Sequence, residues 1–502
     1  MVRKLGRVVL LGAALLGRRE LSGQTLVADS DEPRFRLFDP DAGLPGIEPA
    51  LPPELSTDSS STTEKPKKRF WLAAGEVVFF NMLPWIYGRY LHDTSVTDVS
   101  SVGPSTWARN IKNLPSFYRT FDQDTFQVNQ VAHPYHGSLY FNSARSNGYS
   151  FWQSIPFSLG GSLMWETFFE NELVDINDVY ATTVGGAALG EVFYRSSRMI
   201  VDNSATGVGR VLREIGALAL NPAGAVTRMV TGEMWKTGPN PDDRLPSPLV
   251  IVFDAGYQRV NDGEQNQAIS FMELRYGDPF VGALWEPFDV FDAQLEVVRA
   301  SRTTLTEFRA SGLLAGSDVW CLDASELRVG AFLTYGYQNR LRREFQDQTI
   351  GLRLLSRRVL STRLEFRTDV GVGVNPLSAV ESDYPDENRA APSRQTSTGI
   401  PTIGRTYDYA PGGLAEASAR LREGDRDLVA IGYRLQLVRS INGISRNTRL
   451  QRFSAEGQMP IEAGFAVGGG WAWDERLATY DELKAVRRSG DEWRVFLSFL
   501  LR

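Results

Sequence analysis

Two kinds of hydrophobic spacing divide this chain, and the change falls near Leu249. Before it, apolar residues recur at helical intervals. After it, they alternate with polar residues to the C-terminus, which is the period of a half-buried strand. Leu327, Val329, Ala331, Leu333, Tyr335 and Tyr337 alternate with Glu326, Arg328, Gly330, Thr334, Gly336 and Gln338, broken only by Phe332. Leu364, Phe366, Val370, Val372 and Val374 interleave with Arg363, Glu365, Arg367, Asp369, Gly371 and Gly373 in the same way, and Val429, Ile431, Tyr433, Leu435 and Leu437 with Gly432, Arg434 and Gln436.

The pattern predicts about twelve strands, starting near 250, 267, 289, 303, 326, 347, 361, 413, 427, 448, 464 and 492. Segments of about ten residues with one greasy and one charged face are the signature of a transmembrane barrel. A soluble sandwich alternates too. Three features favour the membrane: the charged polar face, the aromatic residues Trp471, Trp473 and Trp493 near strand ends, and a final strand running from Trp493 to Arg502. The stretch from Asn375 to Gly412, rich in Pro, Asp, Ser and Arg, is expected to be one long outer loop. The fold class predicted is therefore α+β: an N-terminal helical module, then a C-terminal antiparallel transmembrane β-barrel over residues 248–502.

The N-terminal part divides by composition. Arg3, Lys4 and Arg7 precede the apolar run from Val8 to Gly17, too short to span a bilayer and of the length of a secretory signal, so residues 1–23 are read as a signal peptide. Residues 24–69 hold little apolar side chain and read as a disordered linker. A helical module follows over residues 70–240, opening with an apolar run that carries Glu76, Asn81 and Pro84 and so is expected to pack against protein rather than span lipid alone.

Charge and cysteine content narrow the function. The 54 basic and 60 acidic residues give a net charge of −6 without a basic stripe, which excludes nucleic-acid binding by charge. One cysteine, Cys321, excludes an intramolecular disulfide and a cysteine-based metal cluster.

Candidate chemistry gathers between His133 and Arg195. His133-Pro134-Tyr135-His136-Gly137 reads as a turn, because Pro134 restricts the residue before it. A helix is expected from Ala144 or Gly148 to about Phe169, kinked near Pro156, with Glu166 and Glu170 four apart on one face. Asn177 or Asp175 should cap the next helix, on which Gly186-x-x-x-Gly190 permits close approach and Glu191 lies one turn from Arg195. Asn221-Pro222 opens a further helix, ending near Gly232. His133, His136, Glu166, Glu170, Asp178 and Glu191 are the candidate catalytic groups. Asn142, Arg145, Asn177 and Arg195 are the candidate binding groups. Two histidines three apart in a turn lack zinc-helix spacing, so neither metal nor cofactor is expected.

These motifs resemble an uncharacterised bacterial envelope family, domain of unknown function 3943. The resemblance rests on His133-Pro134-x-His136-Gly137, Asn142, Arg145 to Tyr149, Ser162-x-x-Trp165-Glu166 with Glu170, and Asn177-Asp178. It continues through Thr182-Thr183-x-Gly185-Gly186, Gly190-Glu191-x-x-Tyr194-Arg195, and Asn221-Pro222 with Arg228 and Gly232. It implies a helical module followed by an outer-membrane barrel, inserted by the barrel-assembly machinery among outer-membrane lipid, and no activity. Three functions stay open: an envelope role for a module plugging the barrel or held at its periplasmic mouth, a hydrolase of lipid or cell-wall material using His133/His136 and Glu166/Glu191, and a small-solute channel lined by Arg328, Arg353, Arg367, Asp369 and Arg434.

Overall fold

The alternating half of the chain forms twelve antiparallel strands that close on themselves, β1 pairing with both β2 and β12. The computed structural model describes residues 67–91, 102–122, 124–240, 249–261, 265–281, 286–299, 303–322, 325–340, 343–384, 406–462 and 464–501. The stretches expected to be a signal peptide and, but for its last residues, a linker lie outside them. The strands are β1 (Leu249–Val260), β2 (Gln265–Tyr276), β3 (Phe291–Arg299), β4 (Thr303–Leu322), β5 (Ser325–Arg340) and β6 (Arg343–Val359), then β7 (Leu364–Glu381), β8 (Tyr407–Glu423), β9 (Arg426–Arg439), β10 (Arg446–Pro460), β11 (Phe465–Tyr480) and β12 (Val486–Leu501).

The long loop expected from Asn375 is shorter, because β7 continues to Glu381 and β8 starts at Tyr407. Pro376 and Pro411 misled the reading. Both sit where the ladder shifts register, between the pairs Asn375–Gly412 and Ser378–Ala410. A bulge tolerates a residue that cannot donate to the ladder.

Ion pairs between non-neighbouring strands define the inside. Arg309 on β4 meets Glu416 on β8 at 2.8 Å, Arg340 on β5 meets Glu492 on β12 at 2.6 Å, and Arg275 on β2 meets Asp427 on β9 at 2.6 Å. Such partners can meet only across the lumen. Strand alternation then turns Ile350, Leu352, Val370, Val372, Ile431, Leu437, Val495 and Leu497 outward, where they are exposed. Phe332, the break in its strand's pattern, packs inside with Phe280, Leu313 and Leu355.

The helical module comprises α1 (Phe70–Ile86), α2 (Pro104–Asn113), α3 (His133–Arg145), α4 (Phe151–Phe168), α5 (Ile176–Tyr180), α6 (Gly186–Ile200), α7 (Gly207–Leu220) and α8 (Pro222–Val230). The predicted turn at His133 is instead the start of α3, which follows directly on a π-helical turn, Val128–Ala132. The missing N–H of Pro134 falls at that junction, within a helix's first turn, where proline is tolerated. α4 starts at Phe151 under a capping box between Ser150 and Gln153, and it ends at Phe168, so Glu170 lies beyond it. Glycines let α3 and α6 touch: a Cβ on Gly186 would fall 2.5 Å from the Gly137 carbonyl carbon, and one on Gly190 would strike Phe141.

The module lies against the outer wall of the barrel. Thr334 and Arg340 face the lumen, where Thr334 bonds Arg353 at 3.2 Å, so Tyr335 and Tyr337, one position out of phase, face away from it. The ladder carries the outward phase from Tyr337 through Gln346 and Ala379 to Tyr409. These outward tyrosines are nevertheless buried, in one core with Phe126, Phe141, Phe151, Leu189 and Val192 of the module. Polar contacts reinforce the seam: the Tyr335 hydroxyl donates to the Gln130 carbonyl, and Asn129 Nδ2 donates to the Tyr407 hydroxyl at 2.7 Å. The helices therefore do not fill the lumen, contrary to the expected plug, and they clasp the barrel's side rather than its mouth.

Candidate functional site

The expected site separates into two buried clusters. In the first, Glu191 on α6 is wholly buried and accepts from Arg145 at 2.7 and 2.8 Å and from Arg195 at 2.9 Å. Arg195 also reaches Asp289 at 3.2 Å and the Pro287 carbonyl at 2.7 Å, both in the connection between β2 and β3. Burial pushes the Glu191 carboxyl up, but the two guanidiniums outweigh it and hold it below the usual range. This group is a fixed anion tying α3, α6 and the barrel together. Both of its oxygens are engaged by guanidiniums, which hold it ionised and in place.

The second cluster holds the remaining acids. Thr120 Oγ1 donates to the Val174 carbonyl at 2.7 Å and the Asp122 amide to Asn177 Oδ1 at 2.9 Å, which lays the segment around Asp122 along the start of α5. Asp122, Asp175 and Asp178 are all buried, and one carboxylate oxygen from each lies within 4.8 Å of the others. His133 Nε2 stands 3.6 Å from Asp178 Oδ1, and its Nδ1 is 3.3 Å from Thr182 Oγ1. Burial lowers the His133 pKa to about 4, so the imidazole is neutral near pH 7 and its approach to Asp178 is not an ion pair.

Glu166 closes this cluster from α4. Its side chain is buried, and one carboxylate oxygen, Oε1, has no hydrogen-bond partner among the described residues. Burial, then Glu170, Asp175 and Asp122, raise its pKa well above the carboxylate range. Burial and neighbouring acids do the same for Glu170 and Asp178. Glu170 accepts from Trp165 Nε1 at 3.0 Å. Asn177 caps nothing with its side chain: it donates to Asp178 at 2.6 Å and accepts from Asp122.

His136 stands apart, with Nε2 3.0 Å from the Phe80 carbonyl and 3.0 Å from the Tyr140 hydroxyl, which donates to Asn81 at 2.6 Å. Asn142 is buried within α3, away from both clusters' hydrogen bonds. Sequence reading missed Asp122 altogether and took Asp175 only for a cap. Their one signal was acidic side chains in a short irregular stretch. It also missed Glu76 as the centre of a third polar knot, accepting from Thr227 at 2.8 Å and Asn147 at 3.1 Å.

No curated protein matches the sequence. Among solved structures, the NanC porin aligns at 9% identity over 50% of this chain and 98% of its own, with a TM-score of 0.22. The KdgM porin aligns at 8% over 50% and 99% with a TM-score of 0.21, and OmpT of Vibrio cholerae at 7% over 51% and 99% with a TM-score of 0.20. Residues 119–223, the segment that brings both clusters together, match the family model described as Domain of unknown function (DUF3943).

Proposed function

We propose that this is an outer-membrane protein in which a braced barrel serves as scaffold and the helical module, held in the plane of the bilayer against the outer wall, performs an envelope role at the lipid. The observation that carries this reading is the apolar surface the module leaves uncovered, around a core that buries polar groups among its apolar ones. Its interior holds Asn81, Asn110, Ser143, Ser154, Glu166 and Glu191, while Trp71, Phe79 and Tyr90 near α1 are exposed. On α7, Val208, Val211, Leu212, Ile215 and Leu218 form an exposed apolar stripe at helical spacing. Water would penalise such a surface and lipid would not. The stripe belongs to a module already seated on the barrel's lipid-facing side. On this reading the protein is exported and inserted by the barrel-assembly machinery.

The channel reading is disfavoured by the ion pairs that bridge the lumen. Arg353 is held by Glu416 at 2.8 Å and Asp369 at 3.4 Å, and Arg367 by Asp278 at 2.9 Å. Hydrolysis of a lipid is a second reading, favoured by the convergence of His133, Asp178 and Glu166 on one cluster. Neutral His133 would serve as base there, and Glu191 would have no part.

A nitroxide at Ile215→Cys, in a Cys321→Ser background reconstituted into bilayers, tests the placement. Oxygen should relax the label more than a water-soluble nickel chelate does. The opposite order would remove the module from the membrane.

A further inference from the structure

We infer that α1, with the π-helical turn Tyr87–Leu91 that extends it, crosses the whole hydrocarbon layer beside the barrel, from Lys68 at the periplasmic face to Tyr90 in the outer leaflet. The inference rests on the membrane placement proposed above and names the partner of this helix's uncovered face: the acyl chains of both leaflets.

Length and exposure agree. Phe70–Tyr90 is 21 residues, about 30 Å of helix, which matches the hydrocarbon core of a bilayer. A core helix of such composition would be covered by protein, yet its most apolar window is only 28% buried. Trp71, Val78, Phe79, Met82, Leu83 and Ile86 are exposed along one face. Glu76 and Asn81 turn the other way and find protein partners. Glu76 accepts from Thr227 and Asn147, while Asn81 donates to the Val77 carbonyl at 3.0 Å and accepts from Tyr140 at 2.6 Å.

Pro84 supplies an independent observation. It has no N–H for the Phe80 carbonyl four residues back. His136 Nε2 stands 3.0 Å from that oxygen and donates to it, since a carbonyl only accepts. Proline is tolerated in a membrane helix where a neighbouring helix satisfies the carbonyl it frees.

The contacts fix the direction. At the start of α1 the Arg69 amide donates to the Asn147 carbonyl at 3.1 Å, and the Phe70 ring lies 6.0 Å from Phe157 on α4. α4 itself begins where Phe151 stacks on Phe288, in the β2–β3 connection. Further along, Asn81 approaches Met164, and Trp85 meets Phe169 at the end of α4, so the two helices run parallel. Beyond Phe169 the chain reaches Val174, which accepts from Thr120, beside Phe121 stacked on Tyr409 near the start of β8. Strands alternate in direction, so the β2–β3 and β7–β8 connections lie at opposite rims. The stretch between β7 and β8 is the longest between any two strands, and long loops face outward. Trp71 and Tyr90, 84% and 68% exposed, then stand at the two interfaces, where such aromatic side chains anchor, with Lys68 and Arg69 at the periplasmic headgroups.

The test uses the full chain with Cys321→Ser, reconstituted into bilayers and carrying a nitroxide at Lys68→Cys, Phe79→Cys or Tyr90→Cys. Heat-modifiable gel mobility checks that each variant keeps its barrel. The preference for oxygen over the nickel chelate should be several-fold greater at Phe79 than at either end. One value at all three positions would mean a helix lying flat, and nickel dominating at all three a helix in water. Low access of both reagents at Phe79 would mean a second copy packed on the face. Each of these would overturn the proposal. The label at Ile215 keeps the two readings apart: if it stays in lipid while the profile along α1 fails, only the crossing falls. In intact cells a membrane-impermeant maleimide should label Tyr90→Cys, and Lys68→Cys only once the outer membrane is opened. Labelling of Lys68→Cys from outside, or failure to label Tyr90→Cys there, would also overturn the proposal.

Discussion

Glu191 is wholly buried and His136 half-buried, and they respond oppositely to loss of charge. Glu191→Gln keeps the shape but leaves Arg145 and Arg195 without their shared anion in a dry site, which should cost about 3–5 kcal/mol of module stability. Protease resistance of the helices should fall while the barrel keeps its heat-modifiable mobility. His136 should instead set a pH dependence. Burial lowers its folded pKa to about 4, below the unfolded value of 6.5. The unfolded chain therefore takes up a proton first as pH falls. The contribution of neutral His136 is complete above pH 6.5 and is lost on acidification through the window down to about 4. Urea melts of wild type against His136→Gln between pH 7 and 4 should show the wild type losing stability faster, by up to about 1.4 kcal/mol per pH unit. At this scale the sequence was partly legible. Glu191 and Arg195 are four apart on a helix, so their pairing follows from local spacing. Asp122 meets Asp178 only through tertiary folding, and no local period announces that.

Among elements, contact between α3 and a second π-helical turn, Ala181–Gly185, which leads into α6, depends on one missing side chain. A Cβ on Gly137 would fall 1.8 Å from the Thr182 carbonyl oxygen, which belongs to backbone and cannot rotate aside. Gly137→Ala should therefore force the two segments apart and cost at least about 1–3 kcal/mol, displacing His133 from Thr182 as well. Gly160 on α4 provides the contrast, since a Cβ there meets nothing within 4 Å. Gly160→Ala should stabilise by about 0.5–1 kcal/mol through helix propensity alone, and denaturant midpoints of the two variants should move in opposite directions. Strands were the most legible elements, because a period of two survives any tertiary context that keeps one face wet. The start of α3 was not: Pro134 forbids a regular helix interior, and nothing in the letters shows that a π-turn precedes it.

For the molecule as a whole, alternation identifies which strand residues face outward but cannot say what covers them. Leu333 and Ile350 are ladder partners on the same outer face, yet the first is 5% exposed under the module and the second 46% exposed. Both are aliphatic, so the footprint of the helices is invisible in composition, and a plug was as compatible with the sequence as a clasp. Photo-crosslinking separates the two. With benzoylphenylalanine in place of Tyr337, digestion and mass spectrometry should recover peptides joined to the segment around Phe126, whose ring lies 5.5 Å away. The same probe at Gln338, next in sequence but turned towards Glu307 in the lumen, should join only to barrel strands. At Tyr257, which is 69% exposed on β1, it should label detergent or lipid. If Gln338 captures the helices and Tyr337 does not, the helices occupy the lumen. The exposed stripe on α7 would then have no membrane to face, because helices enclosed by the barrel cannot present it to lipid.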